Sequence, residues 1–447
     1  MKAKEIRKGT HDYTAAEDWV KPKEQAVLDK LEWFRDQKLA LMMHFGLYSQ
    51  MGIIESWPMV DSEKEWSQKD IDWVKDGKEL RHQYFAMNKS FNPVRLEADK
   101  WAAFAKKCGF KYLVFTTKHH DGFCLWDTKQ TDFKVTDPSC PYSVSPKADI
   151  VKDVFDAFRK EDLGITAYFS KPDWHCKDFW EEGYIDKETD RYPSYEPEDK
   201  PEKWERYVQF THAQIKELVK DCGPIDTLWF DGGWVDKHLG YDIRLEEIIP
   251  EVRKINPSLI VVDRTCGGEY ENYITPECTI PPEPIDVPWE ACLSVSDSFS
   301  YRFSDHTYKT AKQLIYTFVE IVAKGGNMAL NIAPQPDGRL PMEAMEEVAK
   351  MGEWLGRCGE AIYGTRICAP YRNGDIAFTQ NKDTAFAIIL RDELPESLFI
   401  PYESDVKGMT LINSDTPLGY ETVSGGVRVN LKHINCKDYA YAIRLEK

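Results

Sequence analysis

The segment KYLVFTTKHHDGF, residues 111–123, decides the fold, because a run of apolar residues stops there abruptly at polar ones. Residues 111–117 have the composition of a buried strand, and residues 118–123 supply two adjacent histidines, an acid and a glycine. A second segment, LWFDGGW at residues 228–234, repeats the change from apolar strand to acid and glycine. Sites on α/β folds lie where the strands end, so we predict that the two segments form facing walls of one pocket.

Helices alternate with short apolar strands over most of the chain. Helical spacing of apolar residues is found at residues 25–37, 95–108, 150–160, 204–222, 245–255, 310–324 and 341–357. Strand-like runs are found at residues 39–44, 111–117, 164–169, 225–230, 259–262 and 328–332. These runs are continuously apolar, which is typical of parallel strands covered on both faces. Since no glycine-rich nucleotide motif follows any strand, the pattern predicts a (β/α)8-like barrel.

The pattern changes after Arg366. Short strand-like runs at residues 376–379, 384–390, 426–429 and 439–443 are separated by turn residues. We therefore predict an α/β chain with a barrel domain over residues 1–366, which begins with a polar arm over residues 1–25. A small antiparallel β-sandwich domain over residues 367–447 follows it.

Composition excludes several classes of partner. The chain has 447 residues, 42% of them hydrophobic, and a net charge of -17, which argues against nucleic acids and anionic membranes as partners. No stretch approaches 18 apolar residues, and the N-terminus lacks the apolar core of a signal peptide. We expect a cytoplasmic protein, or a secreted or periplasmic one if a leader was removed, which could form homo-oligomers.

The cysteines form neither a disulfide framework nor a zinc motif. There are 11 of them, an odd number, and none stands in a CxxC pair. Free buried thiols in a reducing compartment are the better interpretation.

Polar residues collect at the predicted strand ends, which share one face in a barrel. They are His44, His119, His120, the segment 170–175, Asp231, Asp263, Arg264 and Asn331. Tryptophans lie nearby in the sequence, at positions 57, 66, 126, 174, 229, 234 and 289. Any single tryptophan is more often plain core, but flat aromatic faces together with forked polar groups are how proteins hold sugar rings. The set as a whole predicts a sugar-binding pocket.

Two carboxylates are needed if the pocket cleaves a glycosidic bond. Asp231 is the best candidate nucleophile, although the same spacing equally fits a helix N-cap or a turn aspartate. Glu277 is the first choice for the acid/base and Glu290 the second, because both lie in or beside the proline-rich segment 276–288. Arg264 could pair with Asp231 or Glu277 and lower the pKa of that carboxyl, or could only bridge the barrel.

A metal site is the rival interpretation of the same cluster. His44, His119, His120, His175 and Asp231 could surround an ion. Since no HxH or HxxxH pair supplies two ligands from one face, we disfavour this site and expect no metal or other cofactor.

The motifs together resemble those of the α-L-fucosidases, glycoside hydrolase family 29. The matching segments are residues 33–36, 43–49, 118–123, 228–234, 262–264, 275–277, 288–290, 324–327 and 330–332, in the family's order. The resemblance implies a barrel with a β-sandwich tail, and an exo-acting retaining hydrolase that removes terminal α-L-fucosyl groups from oligosaccharides or glycoconjugates. It gives Asp231 the role of nucleophile. It also implies that His44, His119, His120, Trp229 and Arg264, and by neighbourhood Trp57 and Tyr168, bind fucose.

The chain departs from the family pattern in two places. It has His44-Phe45-Gly46 where a tryptophan often follows the histidine. The loop after Ser49, where the family usually has a Glu-Trp pair, reads Glu55-Ser56-Trp57, and a second pair, Glu65-Trp66, follows further on. Other functions stay open: a non-catalytic glycan-binding barrel, an α-L-galactosidase on the same scaffold, and a metal-dependent hydrolase.

Overall fold

A computed structural model describes residues 13–305 and 307–447. The first half of the predicted N-terminal arm, residues 1–12, lies outside the described residues. Residues 13–24 pack against the barrel, since Trp19 forms a bridge with Gly268 and the Thr14 hydroxyl donates to Glu271 at 2.6 Å.

Seven parallel strands form one curled sheet around the first domain. They are β1 Leu39–Met43, β2 Tyr112–Lys118, β3 Gly164–Ser170, β4 Thr227–Asp231, β5 Ile260–Asp263, β6 Glu290–Ser294 and β7 Asn327–Asn331. Their order across the sheet is β5-β4-β3-β2-β1-β7-β6, with every neighbouring pair parallel. The carboxyl ends of all seven therefore face the same way, which confirms the predicted (β/α)8-like barrel.

An irregular segment lies between β5 and β6, where an eighth strand would stand. Glu271 bridges Val262 of β5, while Ile274 and Glu277 bridge Trp289 and Cys292 on the β6 side. Because proline and polar residues interrupt this segment, it contains no apolar run, and the sequence pattern did not predict a strand there. It carries Glu277 towards the end of the barrel at which the strands finish.

Helices pack outside the strands. Their bounds are α1 Gln25–Gln37, α2 Leu47–Met51, α3 Lys64–Ser67, α4 Gly77–Phe85, α5 Ala98–Lys107, α6 Ile150–Lys160, α7 Pro201–Asp221, α8 Leu245–Ile255, α9 Ala311–Ala323 and α10 Met342–Cys358. The predicted helices are confirmed with shifts of a few residues at some ends. In the described part of the chain, no helix is long and apolar enough to cross a membrane.

The barrel interior is filled by alternate residues of the strands. Ala40 and Met42 face inward with Tyr168 and Trp229, while Leu39 and Leu41 of the same strand pack outward against the helices. Helix α1 closes the amino-terminal end, because its Val27, Leu31 and Phe34 join the interior cluster. The Phe34 ring stacks on Tyr273 with centroids 4.2 Å apart.

The C-terminal part is a sandwich of two antiparallel sheets. Its strands are β8 Arg366–Asn373, β9 Ile376–Gln380, β10 Thr384–Ile389, β11 Ser397–Ile400, β12 Gly408–Leu411, β13 Thr416–Pro417, β14 Tyr420–Val423, β15 Gly426–Asn430 and β16 Tyr441–Glu446. The sheet orders are β13-β12-β16-β10-β9-β8 and β11-β15-β14, and residues of both sheets share one apolar cluster. The predicted fold of this part is confirmed, and the exact domain boundary stays a prediction.

The cysteines agree with the sequence analysis. All 11 lie in the described part of the chain as free thiols, most of them buried and one, Cys278, exposed.

Candidate active site

The ends of the parallel strands bring together one arginine and two carboxylates. Asp231 ends β4, Arg264 follows β5, and Glu277 lies on the irregular segment beside β6. Arg264 Nη1 donates to Asp231 Oδ1 at 3.0 Å, and Arg264 Nη2 pairs with Glu277 Oε2. Of the two roles that the sequence left open for Arg264, the structure shows the pairing, and with both carboxylates.

The environment of Asp231 keeps its carboxyl group ionised. Burial alone would raise the pKa of Asp231, but the charge of Arg264 and the Tyr168 hydrogen bond outweigh burial and hold the pKa well below its usual range. The Tyr168 hydroxyl donates to Asp231 Oδ2 at 2.5 Å, so each carboxylate oxygen has a fixed partner. Asp231 is therefore an oriented anion at the edge of the pocket.

Three histidines line the pocket, and each is held through its Nδ1 atom. His44 Nδ1 lies 3.0 Å from Asn331 Oδ1, His119 Nδ1 lies 2.6 Å from Ser56 Oγ, and His120 Nδ1 lies 2.8 Å from Ser170 Oγ. Because Asn331 Oδ1 is an acceptor, His44 carries its proton on Nδ1 and leaves Nε2 as an acceptor. Contacts at Nδ1 fix the rings and leave Nε2 for other partners.

Burial keeps these histidines neutral. It lowers the pKa of His44 to about 4 and that of His120 to about 3, although the neighbouring charge of Asp231 acts in the opposite direction. The pKa of His119 is also well below its ordinary value, through burial and the nearness of the other two rings. Neutral imidazoles are suited to hydrogen bonds with uncharged hydroxyls.

Aromatic rings form the walls. The Trp57 ring lies 5.1 Å from His120 and 5.5 Å from Trp234, and Tyr168 stacks on Trp229 at 5.1 Å. The Arg264 guanidinium lies 5.0 Å from the Trp229 ring. Among the described residues, none accepts a hydrogen bond from Trp229 Nε1 or Arg264 Nε, although both atoms are buried.

Two further residues of the pocket were not selected from the sequence. Glu55 is 5% exposed and its backbone has a φ of 27°, a strained conformation that is often found at functional sites. Burial, helped by the charge of nearby Glu277, raises the pKa of Glu55 to about 7 against the opposing effect of hydrogen bonds from Ser300. Phe299 lies 5.2 Å from the His44 ring, and its carbonyl accepts from Asn331 Nδ2 at 2.8 Å. The sequence analysis named Glu55 only in the Glu-Trp comparison, since its strained backbone has no local pattern. Phe299 stands in an ordinary serine-rich loop.

Glu290 is not brought to this group. It is the first residue of β6, at the amino-terminal end of the barrel, where its carboxylate accepts hydrogen bonds from the Tyr112 and Tyr273 hydroxyls. The proximity of Glu290 to Glu277 in sequence was misleading, because β6 runs between the two ends of the barrel. As the second choice for an acid/base, Glu290 is on the wrong side of the interior.

The predicted alternative of a metal site is only partly assembled. His119, His120 and Asp231 place one ligand atom each within 4.8 Å of one another. His175 lies elsewhere, stacked on Phe133 with centroids 3.8 Å apart. Arg264 is paired with Asp231, and its positive charge beside that carboxylate would oppose a cation in the same place.

At the open end of the barrel, a pair of carboxylates lies beside neutral histidines and aromatic walls. This arrangement defines a site of the glycoside hydrolase class. The sequence profile described as alpha-L-fucosidase matches residues 8–360. The chain therefore belongs to the α-L-fucosidase family.

Individual relatives agree over nearly the whole chain. Human plasma α-L-fucosidase is 27% identical over 424 residues, which is 90% of this chain and 86% of the relative. The structure of α-L-fucosidase isoenzyme 1 from Paenibacillus thiaminolyticus is 28% identical with a TM-score of 0.78, covering 94% of this chain and 99% of that one. The α-fucosidase of Thermotoga maritima in complex with a mechanism-based inhibitor is 26% identical with a TM-score of 0.75, covering 96% and 100%.

Proposed function

We propose that this protein is an exo-acting α-L-fucosidase that hydrolyses terminal α-L-fucosyl bonds by double displacement, with retention of configuration. The observation that carries the proposal is the single guanidinium of Arg264, which contacts both Asp231 and Glu277. A shared guanidinium keeps two carboxylates close together. In retaining glycosidases the two catalytic carboxyl groups lie about 5–5.5 Å apart, while in inverting ones they lie about 6.5–9.5 Å apart to admit a water.

Asp231 acts as the nucleophile in this proposal. Its low pKa keeps it ionised, and its contacts with Tyr168 and Arg264 fix the direction of its oxygens. In the first step a carboxylate oxygen attacks the anomeric carbon, the bond to the leaving oxygen breaks, and a glycosyl-enzyme forms. The covalent bond removes the negative charge of Asp231, and hydrolysis in the second step restores it.

Glu277 acts as the acid/base. In the first step it gives its proton to the leaving oxygen, and in the second it takes a proton from the attacking water. Its partner Arg264 follows β5, the neighbour of the strand that carries Asp231. Binding of the sugar must loosen the pair between Arg264 and Glu277 for the carboxyl group to carry a proton.

The neutral histidines and the aromatic walls bind the sugar. The Nε2 atoms of His44, His119 and His120 are suited to the ring hydroxyls of fucose, since each Nδ1 is already engaged. Trp57 offers a flat face to C–H bonds, and Phe299 offers an apolar contact for the C5 methyl group. The Trp229 ring is already stacked on Tyr168 and lies beside Arg264. An α-L-galactoside differs by a hydroxyl at C6, which would meet this apolar surface without a partner.

The substrates proposed are fucosylated oligosaccharides or glycoconjugates, in line with the names of the relatives. The compartment and the oligomeric state stay predictions, to be tested by fractionation and by light scattering.

Turnover of 4-nitrophenyl α-L-fucoside tests the activity directly. We expect hydrolysis by the wild type, slower release from the α-L-galactoside, and loss of turnover in Asp231→Gly with partial rescue by azide. Asp383→Gly removes an exposed carboxylate from the C-terminal sandwich and is the matched control. Binding of the fucoside without turnover would favour the non-catalytic barrel, and full activity of Asp231→Gly would refute the assignment of the nucleophile.

A further inference from the structure

A tryptophan stands at the rim of the pocket, outside the walls described above. The Trp66 ring is 38% exposed and lies 5.8 Å from the ring of Trp57. Trp57 in turn contacts His120 and Trp234 inside the pocket. Trp66 thus extends the aromatic surface one ring outward, by a spacing comparable to one pyranose unit.

The exposed ring is held in a fixed orientation. Trp66 Nε1 donates to Glu63 Oε2 at 2.6 Å, and Glu63 pairs with Arg191. The Arg191 guanidinium lies 5.2 Å from the ring of Trp57 and 5.2 Å from that of Trp234. An exposed tryptophan that is tied in this way to the pocket walls loses little conformational freedom when a ligand stacks on it.

Trp66 leaves more than a third of its surface in water, and its ring is tilted by 54° against the ring of Trp57 in the pocket wall. A flat face next to a sugar pocket matches the apolar C–H face of a second sugar ring. The tryptophans of the two Glu-Trp segments therefore lie in different places, with Trp57 in the wall and Trp66 at the rim.

We propose that Trp66 is a specificity-determining residue that stacks on the sugar of the leaving group. The inference rests on the proposed function and deepens it. The preferred substrates are glycans whose fucose is attached to another neutral sugar, rather than fucosides with small leaving groups.

The test compares leaving groups in the same variants. The first substrate is α-L-fucosyl fluoride, assayed with the wild type, Trp66→Ala and Trp66→Phe. The control is Phe399→Ala, which removes an exposed aromatic ring from β11. The same proteins are assayed on 2′-fucosyllactose and 3-fucosyllactose. Fluoride is a single atom and cannot reach the rim, whereas each trisaccharide places a neutral sugar next to the fucose.

We expect Trp66→Ala to lower kcat/KM for the better trisaccharide by roughly 3- to 10-fold while that for the fluoride stays within about twofold. Trp66→Phe should retain part of the preference, because it keeps a flat ring, and Phe399→Ala should match the wild type on both. Equal losses on both substrates, or an unchanged kcat/KM for the trisaccharides, would overturn the inference.

Two further results separate this inference from the proposed function. Wild-type cleavage of the fluoride without cleavage of either trisaccharide would overturn the role of Trp66 and leave the fucosidase activity standing. No turnover of the fluoride by the folded wild type would overturn the activity, and the inference with it.

Discussion

Replacing Glu290 by glutamine tests whether its carboxyl group is a buried structural group or a catalytic one. Glu290 is 1% exposed, and its two oxygens accept hydrogen bonds from the Tyr112 and Tyr273 hydroxyls. Burial raises its pKa from 4.5 to about 7. Glutamine keeps the shape of the side chain and cannot ionise, but its amide nitrogen donates, so one of the two tyrosine hydroxyls must turn to accept a hydrogen bond.

The sign of the effect follows from the two pKa values. Between pH 4.5 and about pH 7 the folded state holds a proton on Glu290 that the unfolded state has lost. The contribution to stability is therefore complete below the unfolded pKa and is lost as the pH rises through the folded one. A difference of about 2.5 pKa units, at about 1.36 kcal/mol each, corresponds to about 3 kcal/mol.

Thermal unfolding at pH 5 and pH 8 measures this pH-dependent contribution of Glu290 to stability. With an unfolding entropy of about 2.1 cal/mol/K per residue, about 3 kcal/mol in a barrel of roughly 360 residues is a shift of about 4 °C. We expect the Tm of Glu290→Gln, relative to wild type, to be higher at pH 8 than at pH 5 by about that amount. Glu283→Gln, the same change at an exposed position of the proline-rich segment, should show no such difference.

Two outcomes would contradict the reasoning. A Tm difference that is the same at both pH values would mean that Glu290 does not carry the extra proton. Loss of fucoside turnover in a variant that melts normally would place Glu290 in the chemistry, against its position at the amino-terminal end of the barrel.

Three other predictions concern the pocket. Glu277→Ala should lower kcat/KM for 2′-fucosyllactose by about 10²- to 10⁴-fold and that for α-L-fucosyl fluoride much less, because fluoride needs little protonation; equal losses in a kinetic comparison would argue against an acid role. Ser170→Ala removes the contact that orients His120 and should lower kcat/KM by roughly 2- to 10-fold, with partial recovery in Ser170→Thr; an unchanged value in both variants would show that the contact is not needed. Dialysis against a chelator should leave fucoside turnover unchanged, and loss of turnover that an added divalent metal restores would instead support the metal-dependent hydrolase.

Much of the barrel could be predicted because its strands are buried on both faces. Continuous apolar runs such as those of β2 and β4 end at His119 and Asp231, and the ends of parallel strands must meet on one face. Strand β6 was not found, since its residues Glu290–Ser294 begin with an acid and follow a proline-rich segment. The role of that acid depends on which end of a strand it occupies, and periodicity alone cannot provide this information.

The pocket itself was predictable where a residue type and a strand end coincide. His44 and Arg264 meet that condition, and the structure places both beside the carboxylates. Glu55 and Phe299 do not meet it, because the first depends on a strained backbone and the second on the path of a long loop. Such features arise from tertiary packing and have no local pattern.

Because α1 closes the amino-terminal end of the barrel, substrate and products can enter and leave the pocket only at the other end. A pocket that is closed at its inner end has a single opening to solvent. The leaving group lies nearest that opening, so it must depart before water can reach the glycosyl-enzyme. Free fucose is then the last species to leave, and it should compete with incoming substrate, whereas the departed portion of the glycan should not.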